Sequence, residues 1–92
     1  MKKRSKLELI MEILEVVSTE SGITPTWLSI KVNLSYDRVK KILDELIKQG
    51  LVESTPSNER KGSTELTLTL KGMKLLEELK KLRTLLEDYG LI

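Results

Sequence analysis

Apolar residues crowd positions 7–17, at Leu7, Leu9, Ile10, Met11, Ile13, Leu14, Val16 and Val17. The set is too wide for the single stripe of a surface helix at 3.6-residue spacing, so it predicts a helix packed on two sides. Leu7, Ile10, Leu14 and Val17 make one face; Leu9, Ile13 and Val16 make another that can receive a second element or a second chain. Ser5 is placed to cap this helix, Glu8 follows at capping-box spacing, and Gly22 stops the chain after the polar residues 18–21. Thr24-Pro25 starts a short second helix reaching about Val32, because threonine caps and proline is preorganised for the first helical position. Leu28 and Val32 are spaced to face the core, with Ile30 partly covered. After the turn Asn33-Leu34-Ser35, a third helix over 35–49 repeats Val39, Ile42, Leu43, Leu46 and Ile47 at three and four; Ser35 caps it and Gly50 ends it.

Leu51-Val52 leave that helix in extended form, and residues 53–65 hold no apolar residue, which predicts an exposed loop. Beyond it, Glu65-Leu66-Thr67-Leu68-Thr69-Leu70 alternates at period two, as a half-buried strand with inward leucines does. Lys71 to Tyr89 then reads as one long helix with Gly72 tolerated in its first turn. Its residues Gly72, Leu75, Leu79, Leu82, Leu86 and Tyr89 alternate by three and four, and Leu76 and Leu85 widen the seam. A small domain has too little surface to cover that seam, so a coiled-coil dimer, preferably antiparallel, is expected. The predicted fold is mainly α with a small β-hairpin: a winged helix-turn-helix over residues 1–70 with a basic N-terminal arm, and a C-terminal coiled-coil dimerisation helix over 71–92.

Ninety-two residues suffice for one domain, and a chain this short often needs a partner subunit to finish its core. It contains no cysteine and no histidine, which removes disulfides, the usual zinc sites, thiol nucleophiles and imidazole acid–base chemistry. The acidic residues fall singly or in adjacent pairs on polar helix faces, without a spacing that converges them on a metal. No enzyme, cofactor or metal site is expected. No apolar run approaches the roughly 20 residues of a membrane span, and the basic start leads into a Glu-punctuated amphipathic segment instead of a signal-peptide core. A cytoplasmic protein without a membrane partner is expected.

The formal charge of +2 is too small to imply a polyanionic partner; its distribution says more. Residues 1–6 hold four basic residues and no acid, whereas 7–22 hold four glutamates and no base. Most of the remaining basic excess, +2, falls on residues 23–50, the segment containing the third helix, with −1 over 51–65 and +1 over 66–92.

The chain resembles the small archaeal winged-helix DNA-binding proteins of the Sulfolobus 10a type, grouped with archaeal helix-turn-helix transcriptional regulators. The resemblance is carried by Arg4-Ser5-Lys6-Leu7-Glu8 with the following Ile-Leu-Glu, Asn33-Leu34-Ser35-Tyr36, Lys40-Lys41 with Leu43-Asp44, Gly50-Leu51-Val52, and Leu68-Thr69-Leu70-Lys71-Gly72. It implies a winged-helix DNA-binding fold whose C-terminal helix pairs with a second subunit in an antiparallel coiled coil. Where basic residues are common in such proteins, between the first two helices, this chain has Ser21-Gly22-Ile23-Thr24-Pro25-Thr26-Trp27. Its acidic content favours a regulator over a chromatin-packaging protein.

In helix-turn-helix proteins the second helix of the motif enters the major groove with its N-terminal half against base edges. That half offers Ser35, Tyr36, Arg38, Lys40 and Lys41 as DNA contacts. Arg38 and Lys41 suit guanine edges or phosphates, and the two hydroxyls suit phosphate oxygens near the positive helix end. Asp37 either complements the helix dipole, accepts from a cytosine amino group, or repels phosphate. Arg60 and Lys61 at the wing tip and Lys3 and Arg4 in the arm complete the expected DNA surface. Each of these charges also has a reading as ordinary solvated surface. Trp27 is expected to anchor the core rather than stack on bases. Leu75, Leu79, Leu82, Leu86 and Tyr89 are the expected dimer contacts. The expected protein is a homodimeric, nucleoid-associated regulator of double-stranded DNA with no small-molecule ligand evident. The alternatives are an architectural DNA binder of low specificity and a winged-helix module that binds protein instead.

Overall fold

Ser5, Thr24, Ser35 and Thr69 each stand in extended backbone just before a helix, and each side-chain oxygen accepts a hydrogen bond from the amide three residues on. Each cap satisfies an amide that the helix itself leaves without a partner. The helices they start are α1 (Lys6–Thr19), α2 (Pro25–Lys31), α3 (Tyr36–Lys48) and α4 (Leu70–Asp88). Between α3 and α4, β1 (Val52–Pro56) pairs antiparallel with β2 (Thr64–Leu68), Val52 opposite Leu68 and Pro56 opposite Thr64. This computed structural model describes residues 4–59 and 62–92.

The segment joining α1 to α2 adds a third, minimal partner to the hairpin. Gly22, in left-handed backbone at φ +90°, donates to the Leu66 carbonyl at 2.8 Å, and Leu66 donates to the Ile23 carbonyl at 2.9 Å. Ile23 thereby forms a bridge opposite Leu66, which places buried Leu66 between two backbones at the root of the wing. The core gathers around it. Ile13, Leu14 and Val17 of α1, Leu28 of α2, Val39 and Leu43 of α3, Val52 of β1 and Leu66 of β2 are all fully buried. From α4 only Leu76 joins them at 4% exposure, with Leu75 and Leu79 half-buried beside it.

The end of α3 and the start of α4 are locked together. The Thr69 hydroxyl donates to the Gly50 carbonyl at 2.6 Å and, in turn, accepts from the Gly72 amide at 3.0 Å. Lys71 Nζ donates to the Gln49 carbonyl at 2.8 Å, where a cation complements the negative end of α3. Gly72 is buried here, and a Cβ on it would collide with the Leu51 carbonyl oxygen. A glycine is therefore needed for backbone approach, despite its cost to a helix.

Several expectations are corrected. Leu7, in the first turn of α1, is 53% exposed, and Met11, one turn on, takes the buried position instead. Ile30 is 59% exposed, because α2 is only two turns long and its inner face is already filled by Leu28 and Ser29. Residues 53–56 and 64, expected in a loop, are strand; the wing projects, so residues 53–56 are exposed and a polar composition is compatible with pairing. Leu70 is not the last inward leucine of that strand. Thr69 caps a helix there, and Leu70 is its first residue, 79% exposed. Trp27 is 54% exposed and does not anchor the core. Among the described residues no helix is long and apolar enough to cross a membrane.

Candidate nucleic-acid interface

The α2–α3 pair is held by local chemistry. Ser29, buried on α2, donates its hydroxyl to the Thr26 carbonyl at 2.6 Å. Asn33 takes left-handed backbone at φ 54°, which asparagine tolerates better than most residues, and the Leu34 amide returns to the Ser29 carbonyl at 3.0 Å. This turn sets the angle at which α3 leaves. With Val39, Leu43 and Leu46 buried, the helical period points Asp37, Lys41 and Lys48 most directly outward, with Arg38 and Glu45 on one flank and Tyr36, Lys40 and Asp44 on the other.

The charges on this face are not equivalent. Lys40 Nζ donates to Asp44 Oδ1 at 2.8 Å, a one-turn ion pair. That hydrogen bond holds the Lys40 ammonium above the ordinary lysine value of 10.5. Arg38 and Lys41 have no carboxylate partner among the described residues. Ser35 Oγ is engaged as a helix cap, accepting from the Arg38 amide at 3.4 Å, and keeps its own O–H as a donor. Tyr36, the first residue of α3, is 46% exposed. Ser35, Tyr36, Arg38, Lys40 and Lys41 thus share the first half of one exposed helix.

The arm is arranged differently. Arg4 Nη1 lies 2.6 Å from Glu12 Oε2, and its Nη2 donates to the Asn33 carbonyl at 3.3 Å. Lys6 Nζ pairs with Glu45 Oε2 of α3 at 2.9 Å. Arg4 and Lys6 therefore fasten the start of α1 to the turn and to α3, and Arg4 is set against the turn instead of reaching outward. Lys3, Arg60 and Lys61 lie outside the described residues.

Trp27 was not among the expected contacts, yet it stands where the elements of this face converge. A cleft of about 240 Å³ is lined by Trp27, Tyr36, Gly62, Ser63 and Thr64, together with Thr24 to Thr26. It joins the start of α2, the start of α3 and the wing. The signal was present in the sequence: Trp27 directly precedes Leu28, so on a helix it lies about 100° off the core-facing line.

On α4, Leu75, Leu79 and Leu86 are half-buried, while Leu82, Leu85 and Tyr89 are 44%, 51% and 75% exposed. The seam is on the whole less covered in its C-terminal half, Leu86 excepted. Arg83 of α4 reaches Glu15 of α1 at 3.3 Å on the side turned to the domain.

No curated protein matches the sequence. The chain is similar in structure to the multiple antibiotic resistance repressor MarR of Escherichia coli in its apo form, at 24% identity and a TM-score of 0.78 over 82% of this chain and 55% of that one. It is also similar to FabT of Streptococcus pneumoniae in complex with DNA, at 20% identity and a TM-score of 0.76 over 90% and 58% of the two chains. The transcriptional repressor CouR, bound to a 23-mer DNA duplex, gives 25% identity and a TM-score of 0.76 over 87% and 55%. The chain spans little more than half the length of each of these proteins. A family model described as winged helix-turn-helix matches residues 3–87. That match takes in three helices, both strands and all but the last residue of α4, and the chain belongs to the winged helix-turn-helix family.

Proposed function

We propose that the chain is a DNA-binding transcriptional regulator that works as a homodimer, of the kind its resemblance to the Sulfolobus 10a proteins implies. The reading rests on one observation above others: Arg38 and Lys41 project from the capped N-terminal half of α3 with no carboxylate partner among the described residues. Unneutralised cations on such a helix suit the major groove, where they meet guanine edges or flanking phosphates. Ser35 and Tyr36 supply hydroxyls to the adjoining backbone, and the wing, with Arg60 and Lys61 in its loop, lies along the next stretch of duplex. The DNA-bound state of FabT and CouR supports the same assignment.

Residues 1–70 form the DNA-binding unit in this reading, and α4 is the dimerisation element. Its uncovered stripe of Leu82, Leu85 and Tyr89, continuing the half-covered Leu75, Leu79 and Leu86, is the surface a second copy of α4 buries. The dimer presents two copies of α3, as a two-fold operator requires. The test is binding of the purified chain to a mixed-sequence duplex across a salt series, followed by selection from a random duplex pool. Affinity that falls steeply with salt and a recovered palindromic motif support a regulator. Salt-dependent binding without a motif would point to an architectural protein, and no binding at low salt would overturn the assignment.

A further inference from the structure

Trp27 is the sole tryptophan of the chain and is 54% exposed, although it immediately precedes fully buried Leu28. A single exposed apolar residue is ordinary, but tryptophan is enriched at interfaces, where its apolar ring and its N–H can both be used. The surroundings of Trp27 narrow what it binds. On one side lie Glu20 and Lys31, which pair with each other at 3.4 Å. On the other, the 240 Å³ cleft is lined by the hydroxyl-bearing residues Thr24, Thr26, Tyr36, Ser63 and Thr64, and no charged residue lines it among the described residues. It is smaller than the roughly 300–1,000 Å³ of a small-molecule pocket. It also opens between the start of α3 and the wing, the two elements that a bound duplex would touch.

A flat apolar ring beside several uncharged O–H donors matches one repeat of a nucleic-acid backbone. The sugar has an apolar face for the indole, and the phosphate has oxygens that accept from hydroxyls. Among the described residues the counter-charge lies outside the cleft, at Arg38 and Lys41 of α3, where a continuous polyanion reaches it while still occupying the cleft. We propose that Trp27 and Tyr36 hold one deoxyribose–phosphate unit of duplex DNA in this cleft. The contact fixes the depth and angle at which α3 enters the groove, so Trp27 is a positioning residue for recognition. This rests on the DNA-binding reading given above.

Trp27 is the only source of indole emission, so its environment can be followed directly in the full-length chain. The experiment titrates the protein with a labelled 30-base-pair mixed-sequence duplex, recording indole emission and duplex anisotropy together. Emission is expected to change with the same midpoint as the anisotropy. Inorganic polyphosphate, which offers phosphates without sugars, is expected to leave emission unchanged. Trp27→Ala is expected to weaken duplex binding about tenfold, the scale of an aromatic contact to a nucleic acid, while the salt slope stays as in the wild type because no cation is lost. Trp27→Phe is expected to recover most of the affinity. Wild-type binding with unchanged emission and an undiminished Trp27→Ala would overturn the proposal and leave the DNA-binding reading standing. An equal emission change with polyphosphate would also overturn it, and a wild type that binds no duplex would overturn both.

Discussion

Lys40 and Asp44, one turn apart on the exposed face of α3, are joined by a 2.8 Å hydrogen bond, so one of the cations on that face carries its own counter-ion. Arg38 and Lys41 do not. The double change Arg38→Ala with Lys41→Ala is therefore expected to weaken duplex binding far more than Lys40→Ala, and to flatten the salt slope by about two units. Anisotropy titrations at several salt concentrations check this. Equal losses from both variants would mean that the pairing does not grade these residues.

The same ion pair gives a gain-of-affinity test. Asp44→Asn releases Lys40 and removes a carboxylate from the face proposed to meet phosphate. Binding is expected to tighten several-fold at low salt and to converge on the wild type as salt rises, since screening shortens the reach of exposed charges to about 10 Å near 0.1 M. Weaker binding by Asp44→Asn would show that the carboxylate itself contacts DNA or orients Lys40 productively.

The chain has no histidine, and the hydrogen bond to Asp44 raises Lys40 above 10.5. No imidazole is present to change charge near neutrality and Lys40 stays charged there, so duplex affinity is expected to be flat from about pH 6 to pH 9. The sign for stability follows from a folded-state value higher than the unfolded one. Any contribution from Lys40 is complete below the ordinary value of 10.5 and fades as pH rises past the raised value. A bell-shaped binding profile near neutrality would contradict this assignment of charges.

Gly72→Ala separates two opposing effects. Helix propensity alone favours alanine by about 1 kcal/mol. The added Cβ, however, meets the Leu51 carbonyl oxygen, which is backbone and cannot swing aside. A net loss of about 1–3 kcal/mol in urea unfolding is expected, the usual cost of forcing atoms into a packed site. Thr69→Ala, which removes both the cap of α4 and the hydrogen bond to Gly50, is expected to cost about 1–2 kcal/mol.

The dimer is tested by charging the uncovered stripe. Leu82→Lys with Leu85→Lys alters residues that are 44% and 51% exposed in one protomer, so the fold is expected to persist by circular dichroism while sedimentation shifts from dimer to monomer. A wild-type chain that sediments as a monomer would remove the proposed dimer.

Helix starts at Ser5, Thr24 and Ser35 were legible in the sequence because a short side-chain oxygen followed by a periodic apolar run is a local signal with a local cause. Thr69 escaped because the Leu-Thr alternation continues unbroken past the end of the strand and conceals a cap. The second strand was legible from its alternating leucines, but the length of the first escaped for a different reason: period two reports one buried face, and β1 buries only Val52. Arg4 read as part of a basic arm because neither of its partners is visible from charge pattern. Glu12 lies eight residues away, beyond helical pairing distance, and the Asn33 oxygen belongs to the backbone. Trp27 was misplaced by residue type, since large apolar side chains are usually interior, although its offset from Leu28 already pointed elsewhere.

The hydrogen bonds that clasp Gln49 and Gly50 to Thr69 and Lys71 have a mechanical meaning. They make the tail of α3 and the head of α4 a single shoulder, so one helix does not turn without carrying the other. In a two-copy assembly the crossing of the paired α4 helices then acts as a ruler, setting the separation of the two reading heads along the duplex. If the proposed dimer forms, the length of operator it spans is set by α4, outside the proposed reading helix.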